Sequence, residues 1–142
     1  MNLNLKNAAR TFWAIGCLFA APDTFASCEE AIKDFYVSYM QNANDGNDKA
    51  NDQLKQLHMS PDVIAKMNEY TQLHGIDAII HAQDVSRYGI ESITVGAMHD
   101  NWYMVKYKWD ADSKETMIPI QVCDCNTTFK ILDILPIETD DN

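Results

Sequence analysis

Residues 91–135 read ESITVGAMHDNWYMVKYKWDADSKETMIPIQVCDCNTTFKILDIL, and their hydrophobic period is two. Ile93, Val95 and Ala97 alternate with Thr94, Gly96 and Met98. A turn at 99–101 follows. Residues 102–109 then place Tyr103, Val105, Tyr107 and Trp109 on one face, with Lys106 and Lys108 on the other. A second turn, 110–114, leads to 116–122, where Ile118, Ile120 and Val122 share a face. Residues 123–127 turn again before a fourth segment, 128–135. Strict alternation marks half-buried strands, and turns this short join antiparallel neighbours, so the stretch predicts a four-stranded meander. Pro119 has no N–H to give, so the third strand is expected to be an edge or to bulge there.

Upstream the period changes to that of helices. In 29–43, Ile32, Phe35, Tyr36, Tyr39, Met40 and Ala43 form one apolar stripe. Glu29, Glu30 and Asp34 are expected near its first turn, where they complement the helix dipole. Residues 49–59 predict a second, shorter helix with Leu54 and Leu57 inward. Ser60 and Pro61 suit the N-cap and first position of a third, and Gly75 suits its C-terminal stop. Its buried face is expected to hold Val63, Ile64, Met67 and Tyr70 or Thr71. Residues 76–84 (IDAIIHAQD) fit either a helical turn or a short strand. Helices followed by antiparallel strands give an α+β fold, with three N-terminal helices packed on a curved four-stranded sheet.

Residues 1–26 have the order of a secretory signal peptide. Lys6 and Arg10 supply the charge, 12–21 (FWAIGCLFAA) the short apolar core, and Pro22 a break. Cleavage is expected between Ala26 and Ser27, leaving a single domain over 27–137 and an acidic tail over 138–142. Phe25-Ala26-Ser27-Cys28 loosely matches a lipoprotein cleavage box, so a lipid anchor on Cys28 is the lesser reading. The full chain of 142 residues carries 11 basic and 21 acidic side chains, net −10. Loss of Lys6, Arg10 and Asp23 leaves net −11. That balance excludes a basic stripe for nucleic acid or for a membrane surface after cleavage. The expected location is therefore the periplasm or the medium.

Phe35-Tyr36, the stretch 77–84 (DAIIHAQD) and the stretch 101–105 (NWYMV) resemble an exported bacterial family of unknown function, number 3828 in the domain-of-unknown-function series. The order of elements also resembles the cone-shaped, cystatin-like superfamily of nuclear transport factor two. The resemblance spans about 29–137. It implies a cone with helices lining a curved sheet, and no established activity. Some relatives in that superfamily are isomerases with an acidic base and a tyrosine donor inside the cone. On that pattern Asp84 would be the base and Tyr36 or Tyr103 the donor. The plainer alternative is that Asp84 and Gln83 bond a turn while the tyrosines are core.

Other chemistry lacks its signatures. His58, His74, His81 and His99 show no metal-ligand spacing, and Cys123-Asp124-Cys125 supplies only two ligands, so no metal and no cofactor are expected. The loop 42–52 (NANDGNDKAND) has a calcium-like composition but fails the EF-hand template, because Gln41 and Ala43 stand at ligand positions. In an exported chain the cysteines are expected to oxidise, with Cys28 joined to Cys125 or to Cys123.

The expected function is that of an exported, non-catalytic binding module. Tyr36, Gln83, Asp84, Tyr103 and Trp109 at the sheet face and cone mouth would hold a small apolar ligand or a protein partner. The alternatives are a small cofactor-free isomerase or lyase using Asp84, and an inhibitor or immunity-type protein whose acidity suits a basic enzyme. A homodimer formed through the sheet is compatible with all three.

Overall fold

The computed structural model describes residues 24–125 and 128–136, with side chains from Cys28 onward. Most of the expected signal peptide and the acidic tail lie outside the described residues. Helices α1 (Thr24–Asn44), α2 (Asp48–His58), α3 (Pro61–His74) and α4 (Arg87–Glu91) precede strands β1 (Thr94–Ala97), β2 (Trp102–Lys108), β3 (Glu115–Cys123) and β4 (Lys130–Ile134). The strands form one antiparallel sheet in the order β1-β2-β3-β4. The fold is α+β, as the change of period predicts.

The α1 stripe does what its spacing requires. Ile32, Phe35, Tyr36, Tyr39 and Met40 are all buried against the sheet and the later helices. Each such side chain contributes roughly 1.5–3 kcal/mol relative to leaving it in water. The helix begins at Thr24, so the expected cleavage junction lies in its first turn and Glu29 lies beyond it. Glu29 instead accepts a hydrogen bond from the Ala97 backbone N–H at 3.2 Å, tying α1 to the end of β1. The third helix has the predicted ends. Ser60 Oγ accepts from the Val63 N–H, Pro61 opens the helix, and Gly75 stops it in the left-handed region at φ 67°.

Four expectations need correction. Leu57 is half-exposed rather than inward, because α2 turns its other face to the core, where Asn51 bonds the Tyr39 carbonyl. Strand β3 is interior, and its irregularity falls at Gln121/Val122, not at Pro119. Pro119 is tolerated because its nitrogen faces the β4 side just where that strand has ended, and its carbonyl accepts from the Leu135 N–H. Trp109 lies past the end of β2 and is exposed. Finally, Glu91, where the period of two was expected to begin, closes the helix α4, and β1 starts at Thr94.

The two faces of the sheet differ. Tyr103, Val105 and Tyr107 of β2 and Ile118, Ile120 and Val122 of β3 are buried beneath the helices. Their alternate neighbours Trp102, Met104, Lys106, Met117, Pro119 and Gln121 take the opposite face and are half-buried or exposed. A disulfide joins Cys28 of α1 to Cys125, just after β3, across 97 residues. It selects Cys125 from the two partners open in the sequence.

Candidate functional site

The segment 77–82 is a tight loop pushed into the core between α3 and α4. It closes on itself, with the Asp77 N–H donating to the Ala82 carbonyl and the His81 N–H to the Asp77 carbonyl. Asp77 Oδ1 accepts from the Ile79 N–H at 2.8 Å, an Asx turn. Thr71 Oγ1 accepts from the Ala78 N–H. Ala78, Ile79 and Ile80 are thereby buried, although they belong to neither helix nor strand. Buried loop carbonyls need donors. Three tyrosines supply donors to the loop. Tyr36 of α1 donates to the Ile79 carbonyl at 3.0 Å. Tyr107 of β2 donates to the Ile80 carbonyl at 2.5 Å. Tyr39, one helical turn from Tyr36, donates to Asp77 Oδ2 at 2.7 Å.

This arrangement determines what the phenols can do. Burial, and then the nearby Asp77, pushes Tyr36 and Tyr39 far above the ordinary tyrosine value. Burial also raises Tyr107 and Tyr103. The hydroxyls of Tyr36, Tyr39 and Tyr107 therefore remain protonated donors whose protons are engaged by structural acceptors. His81 completes the loop at φ 56°. Burial lowers its pKa, more than a backbone bond to Leu135 and the Asp77 charge raise it. Its Nε2 is buried with no hydrogen-bond partner among the described residues.

The residues singled out in the sequence are dispersed. Tyr36 and Tyr103 are core side chains at 0 % and 2 % exposure. Gln83 and Asp84 are exposed just beyond the loop, and no hydrogen bond joins Asp84 to either tyrosine among the described residues. A general base for carbon acids is kept from water, and an exposed Asp84 is not. Trp109 is 46 % exposed on another edge, with its carbonyl accepting from Ser86 Oγ. Tyr39, Asp77, His81 and Tyr107 were missed as a group. The available signal was that buried tyrosines must find partners, and an unassigned apolar segment is the element most in need of donors.

Two surface features remain. A cleft of ≈ 390 Å³ is lined by Gln41, Asn44, Arg87, Ile90 and Glu91. Gln41 is engaged there with Asp45, and Arg87 with Glu91. The second is the outer face of the sheet. Met104 stands between Gly96 and Pro119 in register, and Met98 donates its N–H to the Trp102 carbonyl across the hairpin. Met117 is opposite Lys106 and hence diagonal to Met104, roughly 7–8 Å away by sheet geometry. Met98 is 45 % and Met117 51 % exposed. A Cβ placed on Gly96 would meet nothing within 4 Å, so the band has a notch beside Met104.

Among the described residues no three His, Cys, Asp or Glu side chains stand together to hold a metal ion. No described helix is long and apolar enough to cross a membrane. The Cys28–Cys125 bond points to an oxidising, non-cytoplasmic compartment. No family model and no curated protein matches the chain. A crystal structure of a protein of unknown function from Bacteroides thetaiotaomicron is similar, with a TM-score of 0.70. The similarity covers 94 % of this chain and 100 % of that one at 23 % identity, a likeness of fold alone.

Proposed function

We propose that this chain is an exported, non-catalytic binding module that takes a protein partner on the outer face of its sheet. The helices-on-meander architecture is read as the cone of the nuclear transport factor two-like superfamily, in the exported family resembled by the sequence. The carrying observation is the contiguous band of Met98, Trp102, Met104, Met117 and Pro119 on the sheet face opposite the buried core, half-buried to exposed among the described residues. Contiguous apolar surface on a soluble domain marks an interaction site. An open sheet favours a protein over a small ligand, which would need a concave pocket. Methionines suit such a surface because they repack around different contacts. The isomerase reading loses support from the exposed Asp84 and the engaged Tyr36 hydroxyl.

Native mass spectrometry of the protein recovered from the envelope of the cells that make it tests this reading. The expected result is a co-purifying protein mass that Met117→Glu removes and Leu73→Glu, on the exposed side of α3, retains. A small-molecule adduct would move the site to a pocket. A bare species, or a partner insensitive to Met117→Glu, would overturn the reading.

A further inference from the structure

We propose that Met98 and Met117 form a reversible sulfoxidation site, through which a hydroperoxide turns the outer face of the sheet from apolar to polar without unfolding the domain. The chain holds seven methionines. Met1 lies outside the described residues, and the other six fall into two sets. Met40, Met59 and Met67 are buried in the core at 0 %, 4 % and 4 % exposure. Met98, Met104 and Met117 all stand on the sheet face opposite that core. A thioether reacts according to its access to the oxidant. Buried methionines react only when the chain opens around them. Met98 and Met117 are open in the folded state. The remaining sulfur is less accessible, because Cys28 and Cys125 are bonded to each other and Cys123 is buried. Among the described residues, an oxidant therefore meets exposed sulfur on one face of the sheet.

Register determines what oxidation does to that face. Met104 is half-buried at its centre. Met98, opposite Trp102 in the hairpin, is diagonal to Met104 on one side, and Met117 is diagonal to it on the other. Oxygen on both residues thus brackets the band. Met117 is also directly opposite Lys106, with Cβ atoms about 5 Å apart by sheet geometry. A sulfoxide oxygen accepts hydrogen bonds, and the Lys106 ammonium supplies a donor beside it. Glu115, 3.7 Å from that ammonium, is half-exposed and competes weakly.

In the step itself a lone pair on Sδ attacks one oxygen of the hydroperoxide. An S–O bond forms, the O–O bond breaks, and water or an alcohol leaves with the proton. Sulfur gives up two electrons and the peroxide takes them. Methionine sulfoxide reductases reverse the step with two thiols, which become a disulfide as the oxygen leaves as water. The further consequence rests on the docking role proposed above: a polar, hydrated band releases the partner that an apolar one holds.

Titration of the full, disulfide-bonded protein with hydrogen peroxide at neutral pH tests the site. Peptide mass spectrometry should find oxygen on Met98 and Met117 at least about tenfold sooner than on Met40, Met59 or Met67. Retention on a hydrophobic-interaction column should fall while the urea midpoint stays in place. Sulfoxide reductases of both stereospecificities should restore retention, with the Cys28–Cys125 bond checked by intact mass. The double variant Met98→Leu/Met117→Leu keeps the face apolar, so peroxide should no longer change its retention. Equal oxidation of the buried methionines, unchanged retention of the wild type, a midpoint that falls alongside it, or sulfoxides that the reductases leave would each overturn the site. These readouts need no partner, so they decide the proposal even if the docking role fails. In native mass spectrometry the oxidised protein should lose its partner. A partner that Met117→Glu removes but the oxidised protein keeps would sink oxidant release and leave the docking face standing.

Discussion

Tyr107 carries a donor on which the buried loop 77–82 relies. Its hydroxyl is the partner of the Ile80 carbonyl, in a loop already buried. Tyr107→Phe leaves that carbonyl unsatisfied, an expected loss of about 1–3 kcal/mol. The urea midpoint should fall with the slope unchanged. Tyr103→Phe, on the same face but with no hydroxyl bond among the described residues, should cost less. The contrast shows what the sequence can and cannot express about this site. Alternation marks both tyrosines as inward. It does not reveal that one meets a carbonyl 27 residues away while the other makes no hydroxyl bond among the described residues. Asp77 and His81 were harder still, since the loop between Gly75 and Ser86 has no period and its burial depends on donors from α1 and β2. Asp84, the acid most visible beside that loop, lies outside it in water.

Elements with regular periods were legible and short irregular ones were not. Helix α3 could be read from both ends because its cap, its proline and its stop are local signals. The disulfide was narrowed to two partners because the sequence cannot tell which cysteine of a Cys-x-Cys faces α1. Helix α4 had no comparable signal, being five residues with a glycine in the middle. It forms because Ser86 caps it, accepting from the Gly89 N–H while donating to the Trp109 carbonyl. Gly89 lets it sit directly on β2. A Cβ there would stand 3.0 Å from Ser86 Oγ, 3.3 Å from the Lys108 carbonyl and 3.4 Å from the Tyr107 ring. Alanine is the better helix former by about 1 kcal/mol. Gly89→Ala should nonetheless destabilise by about 1–3 kcal/mol, because Ser86 cannot yield without giving up both its bonds. Thermal unfolding of that variant gives the sign directly.

At the scale of the whole molecule, one covalent bond joins α1 to the turn before the last strand. In the chain-entropy model a loop of this size stabilises the fold by up to about 5 kcal/mol. Cys28→Ser should lower the urea midpoint accordingly, and wild-type protein in reductant should match it. The same bond also determines how the molecule bears load. If the chain is pulled by its two ends, tension enters at Cys28 and leaves at Cys125 through sulfur, bypassing α2, α3 and the first three strands. Those elements feel no force while the bond is intact. In an optical trap the oxidised chain should lengthen only by its outer segments, and reduction should release a further length of roughly 330 Å, the span of 97 extended residues. Mechanically, the domain is a slack loop carried on a short covalent chord.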